Sequence, residues 1–302
     1  MTHFLVRTLT LNPSIDVSSE AEKVEPERKI RTCCERIDPG GGGINVARVL
    51  NRFRTGVEAI FLAGGATGQA FEQLLAKEKL NGRAVWIADD TRTSLTIHEH
   101  STGREYRFVP EGPTVEADEL RACREAVAAA SSDLFVASGS VPPGIPDDIY
   151  AAVCAATRND GARFILDTSG AELRAALTAG GIFMVKASKE ELSREAAEQI
   201  VSAGQAEHVA VTLGSEGALL VNGGGTWFLP SVQVDPVSTV GAGDSFLAGM
   251  THGLAERLEP LDAFRMAVAA GTAATLSPGT DLAYPDEVQR VLSDVEAPRR
   301  LA

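Results

Sequence analysis

The hydrophobic pattern alternates between short apolar runs and longer stretches in which apolar residues recur every three or four positions. Runs such as "DLFVAS", "RFILD", "MVKAS", "HVAVTLG" and "ALLVNGG" predict buried strands that end in polar or glycine turns. The stretches "INVARVLNRF", "ELRACREAVAAA" and "DAFRMAVAAGTAATL" predict helices. Because strands alternate with helices, the pattern predicts an α/β fold with a mainly parallel sheet covered on both faces.

One segment breaks this rhythm and predicts a small accessory sheet. Residues 92–109, "RTSLTIHEHSTGREYRFV", alternate polar with apolar positions around a Ser-Thr-Gly turn, which is typical of a β-hairpin.

At the start of the chain, "FLVRTLTLNPSID" predicts a core strand that meets a loop at Asn-Pro. Asp16 then lies just beyond the carboxyl end of this strand, where ligands of open α/β sheets bind. Since no linker-like stretch or repeat interrupts the pattern, we expect a single domain over residues 1–302.

Composition and charge narrow the function classes. A hydrophobic fraction of 44% and a charged fraction of 23% are ordinary for a globular protein. No apolar run reaches the roughly 18 residues that span a bilayer, and the first residues lack the features of a signal peptide. We therefore expect a cytoplasmic protein with no membrane partner. The net charge of −13 argues against a nucleic-acid partner, since that affinity comes from clustered Lys and Arg.

The four cysteines show neither a metal-binding CxxC spacing nor a disulfide framework. Cys33 and Cys34 are adjacent, whereas Cys123 and Cys154 are far apart in the sequence. We expect reduced thiols packed within the fold.

Two glycine-rich segments carry the candidate chemistry. In "PGGGGINVAR", residues 39–48, four successive glycines precede a helix. A tight turn needs fewer glycines, so the run favours a loop that approaches a ligand closely. In "STVGAGDSF", residues 238–246, Asp244 is either the N-cap of the next helix or a group that acts on an anion held by the Gly-Ala-Gly amides. Neither segment is a Walker A loop or a Rossmann GxGxxG motif.

Taken in order, these segments resemble the two signatures of the PfkB family of sugar kinases. The similarity extends through "TLTLNPSID", "AGGATG", "SGSVPPG" and "AAGTAATLSPGT", and so covers nearly the whole chain. Within the family, the segments look most like the phosphofructokinase branch. The resemblance implies a ribokinase-like three-layer αβα sandwich with a small β-sheet lid, formed here by approximately residues 17–38 and 92–110.

The resemblance assigns roles to residues at the matching positions. Asp244 matches the catalytic base that accepts the proton of the attacking sugar hydroxyl. The amides of Gly241, Ala242 and Gly243 match the anion hole, which opposes the charge on the transferring phosphoryl group.

The sugar phosphate is expected to lie between the first glycine run and the lid. Four residues match family positions that bind sugar hydroxyls: Asp16, Gly41, Gly42 and Asn45. The expected phosphate contacts are Lys29, Arg31, Arg92, Arg107 and Ser140, although a single surface Lys or Arg usually has no such role.

The resemblance also assigns residues to the nucleotide and its metal. "VTLGSEGA" resembles the ATP loop of the family and places Thr212, Gly214 and Gly217 near the ribose and phosphates, with Thr239, Lys186 and Ser188 as further ATP contacts. Glu191 and Asp167 are the residues expected to position Mg²⁺ through water, and Asp167 is alternatively a plain strand-end turn residue.

One stretch departs from the family pattern. The family usually carries Lys-Pro-Asn before its Glu, whereas this chain has "VKASKEEL", with Ala187 and Ser188 in place of Pro and Asn. A serine hydroxyl offers fewer hydrogen-bonding groups than an asparagine amide. The change is compatible with an active kinase that grips metal and nucleotide less firmly, or with a protein that uses another phosphoryl donor or binds without turnover.

The sequence therefore supports three hypotheses about function. The first is an ATP- and Mg²⁺-dependent kinase that phosphorylates the C1 hydroxyl of fructose 6-phosphate. The second changes the sugar to fructose 1-phosphate or tagatose 6-phosphate, and the third is a phosphosugar-binding protein without activity. The resemblance also implies a homodimer formed through the lid.

Overall fold

The computed structural model describes residues 4–302, which form two β-sheets and nine helices of the α type. The helices within this range are α1 (Gly42–Arg52), α2 (Gly65–Lys77), α3 (Ala117–Ala128), α4 (Ile149–Asn159), α5 (Gly170–Ala179), α6 (Arg194–Ser202), α7 (Ala242–Ala255), α8 (Pro260–Ala274) and α9 (Pro285–Asp294).

Ten strands form the large sheet. They are β1 (Val6–Thr10), β4 (Val57–Gly64), β5 (Gly82–Ile87), β8 (Leu134–Ser138), β9 (Arg163–Asp167), β10 (Ile182–Ser188), β11 (Ala206–Thr212), β12 (Ala218–Asn222), β13 (Gly225–Leu229) and β14 (Arg299–Arg300). Their order is β14-β13-β12-β11-β10-β9-β8-β1-β4-β5. The seven strands from β5 to β11 are parallel, and β12 to β14 are antiparallel, which confirms the predicted mainly parallel sheet.

Helices cover both faces of this sheet, as the pattern predicts. One face packs against α3 to α6 through side chains such as Leu120, Tyr150 and Leu173. The opposite face packs against α1, α7, α8 and α9 through side chains such as Phe246 and Phe264. Burial of these two apolar layers supplies the main driving force for folding. The result is the αβα sandwich expected for the ribokinase-like fold.

The order of the parallel strands reverses at β1. From β1 the chain adds β4 and β5 on one side, whereas β8 to β11 are added on the other. The carboxyl ends of β1 and β8 are therefore a topological switch point, where open α/β sheets bind ligands.

The four-stranded sheet, which we call the small sheet, contains β2 (Ser14–Ala21), β3 (Cys33–Gly40), β6 (Arg92–Glu99) and β7 (Arg104–Phe108), in the order β3-β2-β6-β7. The predicted hairpin is confirmed as the antiparallel pair β6–β7. The sheet begins at Ser14 rather than near residue 17, so Asp16 lies inside β2 and not in a loop after β1. Only three residues separate β1 from β2, which is why the sequence reads as one strand followed by a loop.

None of the helices within residues 4–302 is long and apolar enough to cross a membrane.

Candidate active site

The glycine run lies at the switch point and is packed against the ends of β1 and β8. Gly41 has a φ of 108°, a conformation that side chains rarely adopt, and it precedes α1 as the N-cap. A Cβ on Gly43 would lie 2.5 Å from the Thr10 hydroxyl oxygen and 2.6 Å from the Leu9 carbonyl oxygen. A Cβ on Gly42 would collide with the Ser138 hydroxyl. These glycines let the start of α1 approach the two strand ends closely.

Asp244 lies in the first turn of α7, at the third helical position. The N-cap is Gly241, which has a left-handed φ of 75°. The capping interpretation of Asp244 is therefore wrong, because the helix starts three residues earlier than the sequence indicates. Within residues 4–302, no hydrogen-bond acceptor meets the N–H groups of Gly241 and Gly243, as is usual at a helix N-terminus. These two amides, and that of Ala242, which donates to the Thr239 carbonyl oxygen at 3.4 Å, are the groups predicted to form the anion hole, and they lie in the same turn as the carboxylate.

The carboxylate of Asp244 is held by α1. Its Oδ2 accepts a 2.8 Å hydrogen bond from Asn45 Nδ2, so the two glycine-rich segments meet through one side-chain contact. Burial raises the pKa of Asp244 to about 6, and the negative charge of Asp167 acts in the same direction. Lys186 and the Asn45 hydrogen bond oppose this rise. A carboxylate with such a pKa is ionised near neutral pH and remains basic enough to accept a proton.

Lys186 and Asp167 form a buried ion pair beside the anion hole. The two residues are paired in register at the ends of β10 and β9, and Lys186 Nζ lies 3.2 Å from Asp167 Oδ1. A Cβ on Gly243 would lie 3.0 Å from this ammonium group, which places the positive charge against the first turn of α7. Burial disfavours the charged lysine, but Asp167 and Asp244 outweigh this effect and raise its pKa. Ser138 Oγ also donates to Asp167, at 3.2 Å.

Ser188 holds Glu191 despite the departure from the family pattern. Its backbone N–H and its hydroxyl donate to Glu191 Oε2 at 2.7 and 2.9 Å. Glu191 is exposed, and its second oxygen accepts no hydrogen bond from any side chain or amide in residues 4–302. The serine therefore positions the carboxylate, although it lacks the amide group of asparagine.

A cavity of about 320 Å³ lies on the other side of the anion hole. Its walls include the predicted nucleotide residues Thr212, Gly214, Gly217 and Thr239, together with Ala242 and Gly243. Residues that the sequence analysis missed complete its apolar part: Val232, Phe246, Val268 and Gly271. Val232 lies in the loop after β13, and the other three lie in α7 and α8. Apolar residues of a helix do not by themselves signal a ligand pocket.

Asp16 and Arg92 face the same side of the small sheet. Asp16 is paired with Ser94, two residues after Arg92, so the side chains of Asp16, Ser94 and Arg92 project from one face. Burial raises the pKa of Asp16, while a 2.6 Å hydrogen bond from Ser14 and the charge of Arg92 lower it in part. A Cβ on Gly40 would collide with the Asp16 carboxylate, so this glycine too is needed for a close approach.

Asn12 links Arg92 to Ser140 and is a residue that the sequence analysis did not single out. Arg92 donates to the Asn12 carbonyl oxygen at 2.9 Å, and Asn12 Nδ2 donates to Ser140 Oγ at 3.2 Å. The Asn12 side chain is buried, and its Oδ1 has no partner in residues 4–302. The structure thus brings the predicted phosphate contacts Arg92 and Ser140 together around one asparagine.

The remaining predicted cations lie apart from this group. Lys29 and Arg31 are exposed in the loop between β2 and β3, and no side-chain hydrogen bond or ion pair in residues 4–302 involves them. Arg107 is paired with Thr96 on β6, four residues beyond Arg92, and forms a 3.0 Å ion pair with Glu105. A strand advances about 3.3 Å per residue, so Arg107 lies roughly 13 Å along the sheet from Arg92.

Arg48 is a structural residue that the sequence gives no reason to select. Its side chain is 1% exposed and lies beneath the glycine run. It bonds Glu78 at 2.6 Å, Asp38 at 3.3 Å and the Pro39 carbonyl oxygen at 3.0 Å. The arginine therefore fixes α1 against the end of β3.

The prediction of reduced thiols holds for all four cysteines, whereas the prediction that they are packed within the fold is right for two and wrong for two. Cys123 and Cys154 are buried free thiols, as expected. Cys33 and Cys34 are free but exposed, because they lie at the start of β3, far from the helix layers.

Comparison with known proteins is consistent with this geometry. A model described as the pfkB family of carbohydrate kinases matches residues 9–287. The chain belongs to this family. Among its relatives, the ATP-dependent 6-phosphofructokinase isozyme 2 of Escherichia coli strain K12 is 40% identical over 95% of this chain and 97% of that protein. The 1-phosphofructokinase of Bacillus subtilis strain 168 is 32% identical over 98% of this chain and its own full length.

A solved structure within the pfkB family has the same fold. The crystal structure of phosphofructokinase-2 from Escherichia coli in complex with fructose-6-phosphate superposes with a TM-score of 0.90 at 38% identity, covering 98% of this chain and 99% of that one. Family membership and the shared fold make the chain an ATP-dependent carbohydrate kinase with the αβα sandwich and the separate small sheet described above.

Proposed function

We propose that the protein transfers the γ-phosphate of ATP to the C1 hydroxyl of fructose 6-phosphate, giving fructose 1,6-bisphosphate. The observation that carries the proposal is the position of Asp244. It is a partly buried carboxylate with a raised pKa, and it lies between a nucleotide-sized cavity and the glycine run that leads to Asp16.

In this mechanism Asp244 is the general base. Its carboxylate accepts the proton of the sugar hydroxyl as that oxygen attacks the γ-phosphorus. Asn45 of α1 donates a hydrogen bond to one carboxylate oxygen, Oδ2, and so fixes the orientation of the carboxylate. The other oxygen, Oδ1, remains available for the sugar hydroxyl.

The negative charge of the transferred group meets preorganised donors. The unpaired N–H groups at the start of α7 point to the place where this charge develops, and the helix dipole adds to their effect. Lys186 supplies a fixed positive charge beside Gly243. These groups need little reorganisation during the reaction, because the fold already holds them.

The nucleotide occupies the cavity between β11, β12 and the helices α7 and α8. Apolar side chains such as Val268 and Phe246 suit the adenine ring, and the glycines at 214 and 217 allow the chain to approach ribose and phosphates.

The sugar phosphate lies over the small sheet. Asp16, Asn45 and the amides of Gly41 and Gly42 bind hydroxyl groups, and Arg92 and Ser140 bind the 6-phosphate, to which Lys29 adds positive charge from the loop between β2 and β3. Arg31 and Arg107 add positive charge near the mouth of the site. Arg92 is already oriented by two carbonyl oxygens, those of Pro110 and Asn12.

The acidic residues fit the Mg²⁺ that accompanies ATP. In residues 4–302, one cluster of three or more His, Cys, Asp or Glu side chains is close enough to share an ion, and it lies elsewhere, on the small sheet. Mg²⁺ needs no such cage, since it usually keeps several waters and takes one or two carboxylates plus substrate phosphates. Glu191 and Asp167 would hold it through water. Bound there, the ion would neutralise charge on the phosphates.

The serine at position 188 is compatible with turnover. Because Ser188 fixes Glu191 through two hydrogen bonds, the carboxylate keeps an oriented position without the asparagine. This geometry favours an active kinase over a phosphosugar-binding protein.

The 40% identity to a 6-phosphofructokinase, against 32% to a 1-phosphofructokinase, favours fructose 6-phosphate over fructose 1-phosphate. Tagatose 6-phosphate, with its phosphate at the same carbon, is the nearest competitor.

The first test compares ATP turnover of the wild type, Asp244→Asn and Asp262→Asn with fructose 6-phosphate and Mg²⁺. Asp262 is an exposed acid in the first turn of α8, so it controls for charge removal at a helix N-terminus. We expect Asp244→Asn to lower kcat by about 10²–10⁴-fold, the usual contribution of a general base, with ligand affinity retained. Equal turnover of all three proteins would remove Asp244 from the mechanism, and no wild-type turnover would favour binding alone.

The same assay with fructose 1-phosphate and tagatose 6-phosphate tests the substrate. We expect fructose 6-phosphate to have the highest kcat/KM, and a higher value for either competitor would reassign the enzyme.

We further propose that the enzyme is a cytoplasmic homodimer joined through the small sheet, which then serves as a lid. On the face opposite Asp16, four apolar residues are paired side by side across the four strands: Ile37, Val17, Leu95 and Phe108. Ile37 is 46% and Phe108 is 55% exposed. A second copy of this sheet would cover both side chains.

A further inference from the structure

The two adjacent cysteines project to the same side of the small sheet. Neighbouring residues of a regular strand point to opposite faces, so two consecutive thiols are normally far apart. Here the pairing register slips between Ser18 and Glu20, and β3 carries an extra residue at this point. Cys34 adopts a left-handed φ of 56°, and its Sγ lies 3.7 Å from Sγ of Cys33.

A carboxylate completes this cluster. Glu20 is paired in register with Cys33, and one of its oxygens lies within 4.8 Å of both sulfur atoms. Two ligands with Zn–S bonds of about 2.3 Å at a tetrahedral angle are about 3.8 Å apart. The separation of the two thiols therefore already matches the spacing that a tetrahedral cation imposes.

A histidine supports the carboxylate from the other side. His100 Nε2 lies 3.1 Å from Glu20 Oε2, and His98 is paired with Glu20 across β2 and β6. Carboxylates that bind metals are usually held by such an outer hydrogen bond. The three inner groups lie within 4.8 Å of one another and would all be negatively charged if ionised. A cation would relieve this repulsion.

We propose that Glu20, Cys33 and Cys34 bind one thiophilic divalent cation of the Zn²⁺ class, with water or an imidazole in the fourth position. Two thiolates and one carboxylate form a ligand set that Zn²⁺ prefers and that Mg²⁺ does not. The ion would clamp the far end of β2 to β3. Glu20 is four residues beyond Asp16 on the same face, about 13 Å along the strand, so this site is separate from the one proposed for catalysis.

Cobalt substitution tests the site without any enzyme assay. The full chain, kept reduced with a phosphine, is titrated with Co²⁺ while thiolate-to-cobalt charge-transfer absorption is recorded. Zn²⁺ is then added to displace Co²⁺. We expect saturation at one Co²⁺ per chain and full loss of the band on addition of one equivalent of Zn²⁺.

Variants separate ligands from supporting residues. Cys33→Ser and Cys34→Ser should abolish the charge-transfer band or weaken binding by more than about 100-fold, and Glu20→Gln should weaken it strongly. His100→Gln should cost about 10–100-fold, as loss of an outer partner does. Glu22→Gln removes an exposed carboxylate two residues beyond Glu20 and should change nothing. The altered side chains are partly or fully exposed, so circular dichroism should show that all the variants fold.

Three results would overturn the proposal. The first is the absence of a charge-transfer band at one equivalent of Co²⁺. The second is unchanged affinity in Cys34→Ser. The third is saturation at one ion per two chains, which would place the ion between subunits instead. Protection of Cys33 and Cys34 from alkylation by Zn²⁺, read by mass spectrometry, should follow the same order of variants.

Discussion

At the scale of single residues, the protonation of Asp244 connects the fold to the proposed reaction. Its pKa of about 6 results from burial and from Asp167, and is held down by Lys186 and Asn45. Because the base must be ionised, its function is present above this pKa and is lost as the pH falls through it.

The pH profile of the wild type should therefore have an acidic limb. We expect kcat/KM for fructose 6-phosphate to fall below pH about 6, since this parameter reports the free enzyme. The substrate phosphate also titrates near this pH, so the wild-type profile alone does not identify the group.

Asn45→Ala separates the two titrations. Removing the hydrogen bond that lowers the pKa of Asp244 should move the limb to higher pH, whereas the substrate phosphate titrates as before. An unchanged limb in this variant would assign the titration to the substrate.

Arg48 allows a test of stability at the same scale. Replacing it with Met leaves the buried Asp38 carboxylate short of a partner, and we expect a loss of about 3–5 kcal/mol in the free energy of unfolding. Arg194→Met is the control, because its pair with Glu198 is more than one third exposed and should contribute about 1 kcal/mol or less. Urea unfolding measures both; similar losses would show that burial of Arg48 is unimportant.

The residue scale is also where the sequence was least informative. Asp244, Asn45 and Asp16 could be selected from the sequence because glycine-rich segments and the family pattern mark their positions, and the contact between Asn45 and Asp244 is seen in the structure. Arg48 and Asn12 were not, since their importance depends on Glu78, Asp38 and Ser140, which lie 30, 10 and 128 residues away in the chain. The adjacent cysteines were misjudged because exposure depends on which sheet a strand joins.

At the scale of elements, the glycine run shows how a loop and a helix depend on the strands beneath them. We expect Gly43→Ala to destabilise the protein and lower activity, because its Cβ would meet the Leu9 backbone carbonyl at 2.6 Å and a strand cannot move away cheaply. Gly223→Ala is the matched control, with no atom within 4 Å of its Cβ. Thermal unfolding compares them, and equal midpoints would contradict the close packing of α1 on β1.

Most central elements follow from the hydrophobic pattern, and the peripheral ones do not. Strands β8 to β12 carry continuous apolar runs because both of their faces are covered. The edge strands β5 and β14, and β13 next to β14, contain Arg, Gly and Trp residues and lack such runs. The start of α7 was also misplaced, since Gly241 and Gly243 look like loop residues although the second of them is helical.

At the scale of the whole molecule, the exposed apolar row of the small sheet predicts the assembly. We expect the wild type to sediment as a dimer and Phe108→Asp to dissociate at concentrations at which the wild type does not. Burial of a Phe side chain contributes about 1.5–3 kcal/mol, so the dimer Kd should rise at least about tenfold. Val237→Asp, at a site that is 64% exposed outside the small sheet, should leave the mass unchanged. A monomeric wild type would end this proposal.

The attachment of the small sheet has a mechanical consequence. Ser14, Gly40 and Arg92 are paired side by side across β2, β3 and β6. They are the terminal residues through which these three strands join the rest of the chain. The opposite end, near Glu20, is about 20 Å away along β2. The sheet is thus joined to the rest of the chain at one end, and Asp16 and Arg92, which we propose to bind the sugar phosphate, lie at or near that end. A rotation of the sheet about this attached end would move the far end widely while Asp16 and Arg92 moved little, so the proposed sugar substrate could enter or leave without disrupting the groups proposed to bind it.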